Sequence, residues 1–499
     1  MRKKVVVALL SVLLLGWTVM LTLQKRAEHA APAAPVPTAD PAASASGSAR
    51  APASTAGSAV PPNGSATPPG SASGAASAST PKLMDRPLRV TALGWDLAAA
   101  GVLANGGVDP APAGEFAKAG LDVHIAVASS GSSLEAALAR GGEDKDGADV
   151  AILPLPTFVA SYERLRALSL DMFFVIGWSR GREAIASAKA EWPSKGDVKL
   201  AGAAGDPATF LALWAFDLGG VPASQVKLLG PSTSATDAPY AAVDRSSPLP
   251  ADASRSALLL TTADAPRLVP FVAVAPRGLI EQRSRALTAW AGAWLAGARK
   301  LSQDAPAGAR TIAATKGAPE PLALLQTLGQ SAPATLADNV RMAGLSGRSA
   351  VTLETLFQRS WALWRAASVL ATPSPEAAPV STGIISALAR AEPGLAAATP
   401  DDVKPQQPAP SAKVLLAYRQ PDGKLDDTAL VTTAGFLAGV FERAPLRLGV
   451  NAGGAIDKAR TKKVIDDTLG RFGLAPTRIT PAAKSLPQSS AFIEVLGVM

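Results

Sequence analysis

The sequence contains no cysteine. Disulfides, thiolate metal sites, cysteine nucleophiles and a lipidated N-terminal cysteine are therefore excluded. Histidine is nearly as scarce, with two in 499 residues. His29 lies in a low-complexity stretch, and His124 sits in Leu121-Asp122-Val123-His124-Ile125, which reads as a strand. No histidine-based metal site is expected. Aromatic residues make up only 5%, so Ala, Val and Leu must do most of the packing, and a hydrophobic content of 48% allows well-filled cores. The length is too great for one core and suits two or three. The net charge of +8 is spread along the chain. No Lys/Arg cluster is interleaved with aromatics as single-stranded nucleic acid binding requires, so no nucleic-acid partner is expected. The basic balance suits an anionic envelope surface or small anions.

The shortage of histidine also decides a catalytic motif. Gly177-Trp178-Ser179-Arg180-Gly181 matches G-x-S-x-G, follows an apolar run and precedes Arg182-Glu183-Ala184-Ile185, a stretch that could be helical. That is the setting of a hydrolase nucleophile elbow. The mechanism needs a histidine after the serine, and none occurs after position 124. A serine–lysine variant has no supporting spacing. No Walker loop, G-x-G-x-x-G unit, H-E-x-x-H or EF-hand sequence is present. The chain is not expected to be an enzyme or to carry a cofactor.

Residues 1–4 are a basic start, followed by an uncharged run from Val5 to Leu23. Nineteen residues at roughly 1.5 Å each span about 28 Å, close to the roughly 30 Å hydrocarbon core. Cleavable signals have shorter apolar regions, and Lys25-Arg26 follows at once, so residues 5–23 read as an uncleaved transmembrane signal-anchor; a cleaved signal is the alternative. Arg2, Lys3 and Lys4 favour a cytoplasmic N-terminus. Residues 24–85 are mostly Ala, Pro, Ser, Gly and Thr. They bury too little apolar surface to offset ordering entropy and read as a disordered linker, with an r.m.s. span of about 40 Å over residues 27–80. The expected location is the bacterial inner membrane, single-pass, with the bulk of the chain in the periplasm.

From Arg86 strands alternate with helices, the pattern of an α/β fold with largely parallel sheets. Leu88–Leu93 is a strand, a helix ends near 113–120, Leu121–Val127 and Asp149–Pro154 are strands, and Met172–Ile176 is a further apolar run. Ser132 with Glu135 fits a capping box. The order of motifs resembles periplasmic solute-binding proteins of the taurine, nitrate and thiamine-precursor type. Glu115–Val123 resembles their F-x-K-x-G-L-D-V signature, Asp149-Val150-Ala151 their D-V-A strand, Val175–Gly181 their crossover strand, Ala215–Leu229 their L-G-x-p-x-x-x-V-x-L segment, and Ala286–Trp290 their late helix. The resemblance spans about 86–396. It implies two lobes, one from 86–174 plus 268–396 and one from 175–267, closing about a hinge on a small ligand.

Candidate ligand contacts follow from chemistry. Trp95, after the first strand, suits an apolar or cation-facing wall. Ser129, Ser130, Ser132 and Ser133 offer hydroxyls and N–H groups near a helix N-terminus, which suits an anion or carboxylate. Trp178, Ser179 and Arg180 lie near the hinge, where an arginine can pair with an oxyanion. Asp206 and Thr209 open another helix. Ser132 and Asp206 read equally as helix caps, and the two tryptophans equally as core.

Residues 397–411 read as a second linker, and 412–499 as a small α+β module of βαβαβ order. It resembles the OmpA-like peptidoglycan-binding domain: Leu425–Ala429 is similar to its L-D-x-x-A helix start, Ile456–Val464 to its L-S-x-x-R-A-x-x-V helix, and Leu474–Ile479 to its I-x-x-x-R-I link. Arg460 matches the helix arginine. The family's G-H-T-D is replaced by Val450-Asn451-Ala452-Gly453-Gly454, so the aspartate of the clamp has no counterpart. The expectation is a membrane-tethered binding protein that captures a small, anionic ligand for an ABC transporter permease or a sensor. Peptidoglycan is a further partner through the degenerate module. The alternative is a structural envelope scaffold whose solute-binding fold has lost its ligand.

Overall fold

The computed structural model describes residues 81–193, 196–246, 255–397, 412–421, 423–452 and 454–497. The expected anchor at 5–23 and nearly all of both expected linkers lie outside them. Among the described residues no helix is long and apolar enough to cross a membrane.

Strands β1 (Leu88–Leu93), β2 (Val123–Ala128), β3 (Val150–Pro154) and β4 (Leu170–Ser179) come first, each followed by a turn or helix. β1 pairs in parallel with β2 and β3. β4 is buried along all ten residues, as a central strand must be. The chain then leaves this sheet for β5 (Glu183–Ser187), β6 (Val198–Ala201), β7 (Val226–Leu229), β8 (Tyr240–Asp244) and β9 (Ala257–Thr261), which form a second sheet in the order β7-β6-β8-β5-β9. It returns through β10 (Pro270–Pro276), which runs antiparallel between β3 and β4, and β11 (Ser331–Pro333) completes the order β11-β4-β10-β3-β1-β2. Two sheets joined by two crossings, Ser179 to Glu183 and Thr261 to Pro270, make two α/β lobes. That is the architecture the resemblance implied. The first sheet with its helices is lobe one, and the second is lobe two.

Several local expectations change. The region before Gly120 holds two helices, Trp95–Asn105 and Glu115–Lys118. Gly106 takes a left-handed conformation and ends the first. The Gly131–Arg140 helix is capped by Ser130 with Ser133, not by Ser132 with Glu135. Glu135 is occupied instead by Ser161 and Arg164. Glu183–Ser187 is a strand, so Ser179 stands on a strand-to-strand turn and lacks the strand-to-helix setting of a nucleophile elbow.

Beyond residue 411, β12 (Val414–Pro421), β13 (Leu446–Ala452), β14 (Ala455–Ile456), β15 (Ile479–Pro481) and β16 (Ser489–Leu496) form a third sheet of order β12-β16-β13-β14, with β15 beside β13. The Asp427–Val440 and Lys458–Phe472 helices lie between these strands in sequence, each capped by an aspartate side chain. One continuous apolar core runs through both lobes and this C-terminal module. The scarce aromatics are concentrated in it: Trp290 packs on Phe173, Phe174 and Trp294, and Phe158 on Tyr162 and Phe357.

Candidate functional site

The two lobes face each other across a cavity of about 560 Å³. Lobe one contributes the start of the Gly131–Arg140 helix and the Leu155–Leu165 helix. Lobe two contributes Arg182, Glu183, Asp244 and the Gly205–Pro207 turn at the start of the Pro207–Leu218 helix. Gly205, at φ 80°, turns the chain so that Asp206 can cap that helix.

Two contacts join the lobes beside the cavity. Arg182 donates from Nη1 to Oδ2 of Asp96 in lobe one at 2.9 Å and from Nη2 to Oδ2 of Asp244 in its own lobe at 3.3 Å. Thr157 donates from Oγ1 to the Gly205 carbonyl at 2.9 Å. Asp96 stands in the first turn of the Trp95–Asn105 helix, into which Gly94, at φ 108°, turns the end of β1; a Cβ at Gly94 would come within 2.9 Å of the Asp96 carboxylate. Arg164 forks onto Glu135, which also accepts from Ser161 at 2.8 Å.

Burial shapes the electrostatics. Glu183 is 2% exposed, and desolvation pushes its carboxyl up to about 7 despite hydrogen bonds from Ser179 and Thr262. Burial likewise raises Asp96 and Asp206 above the usual carboxylate range. Burial alone would lower the Arg182 guanidinium, but Asp96 and Asp244 hold it above its ordinary value. Around the cavity, Glu135, Glu183, Asp206 and Asp244 face Arg164 and Arg182. The acids are in excess.

Of the residues expected at a ligand, Ser132 and Asp206 line this cavity. Ser130 bonds Ser132 at 3.0 Å, Thr209 bonds Asp206, and Ser179 bonds Glu183. These three support lining residues. Ser129 is exposed and Trp95 half-buried against the core; neither lines the cavity. Trp178 and Arg180 lie elsewhere, bordering a seam with the C-terminal module. Asp96, Thr157, Arg164, Arg182 and Asp244 were not foreseen. The one available signal was charge: Arg182 and Glu183 interrupt two apolar strands, where a charge needs a partner. Among the described residues no group of three or more His, Asp or Glu is placed to hold a metal.

In the module, Arg460 donates from Nε to Asp427 at 3.0 Å and remains partly exposed. The carboxylate beside it thus comes from the Asp427–Val440 helix. The end of β13 supplies Asn451, whose Nδ2 donates to the Leu486 and Ser489 carbonyls.

No family model matches this chain, and no curated protein matches it. Among solved structures it is similar to the alkanesulfonate-binding protein SsuA from Xanthomonas axonopodis pv. citri, at 17% identity and a TM-score of 0.39, over 57% of this chain and 94% of that one. It is similar to the periplasmic nitrate-binding protein NrtA from Synechocystis PCC 6803, at 14% identity and a TM-score of 0.36, over 59% and 92%. It is also similar to a Candida albicans gene product with the generic periplasmic binding protein fold, at 12% identity and a TM-score of 0.37, over 61% and 95%.

Proposed function

We propose that this chain is an extracytoplasmic solute-binding protein that takes a small polar ligand between its lobes and hands it to, or reports it to, a membrane transporter or sensor. The observation that carries the reading is the cavity of about 560 Å³ between the lobes, lined by Arg182, which also bridges to Asp96 of the other lobe. A ligand able to replace the Arg182–Asp96 contact changes the free energy of the lobe arrangement, which is what a hinge-closing receptor needs. The fixed charges run against the anionic ligand expected from the serines and Arg180. With carboxylates in excess, an amine or guanidine is the better-matched solute.

Tethering through residues 5–23 and wall association through Arg460 belong to the same proposal. They make the chain a local capture device between membrane and wall. The rival reading is a scaffold, favoured by the direct lobe-to-lobe contacts, which need no ligand to join the lobes. A thermal-shift screen of the full chain against amines, guanidines, amino acids, sulfonates and nitrate separates the two. Saturable stabilisation that Asp244→Asn removes supports a receptor; no shift with any probe supports the scaffold. Sedimentation with purified peptidoglycan, lost in Arg460→Ala, tests the wall contact.

A further inference from the structure

A second cavity, of about 470 Å³, lies away from the lobe cleft, in the seam between lobe one and the C-terminal module. Met342, Val351, Ala438, Phe472 and Leu474 give it an apolar part, and Ser346 and Ser349 also line it. Four guanidinium groups surround it, those of Arg267, Arg341, Arg348 and Arg478, against two carboxylates, Asp338 and Glu442. Arg267 joins both carboxylates, at 3.1 Å and 2.8 Å, and Arg341 shares the same Asp338 oxygen. Those two arginines and two acids cancel. Arg478 is committed to the carbonyls of Ala438, Phe441 and Ala444. Arg348 is exposed and pairs with no carboxylate among the described residues. The cavity therefore carries a net positive charge with one guanidinium unspent.

Trp178 adds an independent observation. It is 2% exposed and borders this cavity and an adjoining one of about 260 Å³ that Arg180 also lines. Its indole N–H has no hydrogen-bond acceptor. Trp214, Trp290 and Trp294 share that condition, but none of them borders the cavities described here. A buried donor left unpaired is costly, so an acceptor brought to it is favoured. We propose that the seam is a second ligand site, taking a small molecule with an anionic head, carboxylate or phosphate, on an apolar body. The head meets Arg348 and the Trp178 N–H, and the body lies on Met342, Val351 and Phe472.

The test uses the full chain with ¹⁵N-labelled indoles, the Trp178 resonance being assigned with Trp178→Phe. Titration with 4-phenylbutyrate and with phenyl phosphate should move that resonance saturably, and the stronger of the two identifies the head group. Arg348→Ala, an exposed position whose change leaves the core intact, should weaken the binding about tenfold, the loss of one charge-assisted contact. A Trp178 resonance that stays still with both anions at millimolar concentration overturns the proposal. So does an equal response to 4-phenylbutylamine, an equal response to inorganic phosphate alone, or an affinity unchanged in Arg348→Ala.

Discussion

Arg182 places its guanidinium 2.9 Å from the carboxylate of Asp96, so a residue of lobe two holds the first helical turn of lobe one. Both side chains are largely buried, at 20% and 7% exposure. Removing Arg182 leaves the Asp96 carboxylate buried without its partner, which costs about 3 kcal/mol, whereas removing Asp96 leaves Arg182 still paired with Asp244. Arg182→Ala should destabilise the chain by that order in urea unfolding, and Asp96→Asn by less, since Arg182 retains Asp244. The double variant should cost less than the sum by more than about 1 kcal/mol, because the two act on one contact. Strict additivity would mean that the lobes are not joined there.

Glu183 gives the cleft a pH response. Its carboxyl titrates at about 7 in the folded chain against 4.5 unfolded, because burial disfavours the charge. Between these values the folded state binds more protons than the unfolded one, so stability falls as pH rises from about 4.5 to about 7 and then levels. The contribution lost is about 3 kcal/mol. Glu183→Gln cannot ionise and should remove this fall. The check is the difference between wild-type and variant unfolding free energies at pH 5, 6, 7 and 8. A difference that stays constant across the window would show that Glu183 does not titrate there.

The strands of lobe one were legible because their apolar runs are short, buried and closed by turns. Leu88–Leu93 has the bounds read from sequence, and Asp206 caps the helix it was expected to open. Local pattern failed where tertiary partners decide. Ser130 outcompeted Ser132 as the cap, and Glu135 was drawn off to Arg164 across 29 residues. Arg182–Asp96 is 86 residues apart and Arg267–Glu442 is 175 apart, and no periodicity records such pairings. Trp178 and Arg180 were rightly singled out as near the crossing, but strand alternation alone did not say which side of the sheet would face the cleft and which the module.

Close helix packing in lobe one makes a contrast between two glycines of the Ser284–Gln303 helix. A Cβ on Gly297 would sit 2.0 Å from the Ala100 carbonyl oxygen of the Trp95–Asn105 helix, a backbone atom that cannot step aside. Gly297→Ala should cost about 2–3 kcal/mol. A Cβ on Gly292 meets only the Leu388 side chain, at 3.6 Å, an ordinary contact. Gly292→Ala should be neutral or stabilising by up to about 1 kcal/mol through helix propensity. Thermal unfolding of both variants checks the pair, and equal effects would deny the close approach.

The C-terminal module is held to both lobes, and Arg267 stands at the joint. It lies in the second crossing, stacks on Trp178 at 4.8 Å, reaches Asp338 of lobe one and Glu442 of the module, and its own N–H bonds the Val440 carbonyl. Trp192 of lobe two donates to the Leu415 carbonyl at 2.9 Å, and Arg359 of lobe one lies 3.9 Å over Phe436. Burial alone would raise Asp338, yet Arg267 keeps it below the usual carboxylate range. Arg267→Ala leaves Glu442 without its ion pair and Asp338 with Arg341 alone, and should cost about 3 kcal/mol. Arg267→Lys keeps the charge but loses the fork and the stacking, so it should recover only part of that. Hydrogen exchange locates the effect: the Asp427–Val440 helix and β12 should exchange faster in Arg267→Ala, while β1 to β3 keep their protection. Exchange that rises uniformly would make Arg267 an ordinary stabilising residue. Exchange confined to the module would make it the residue that fastens the module to the lobes.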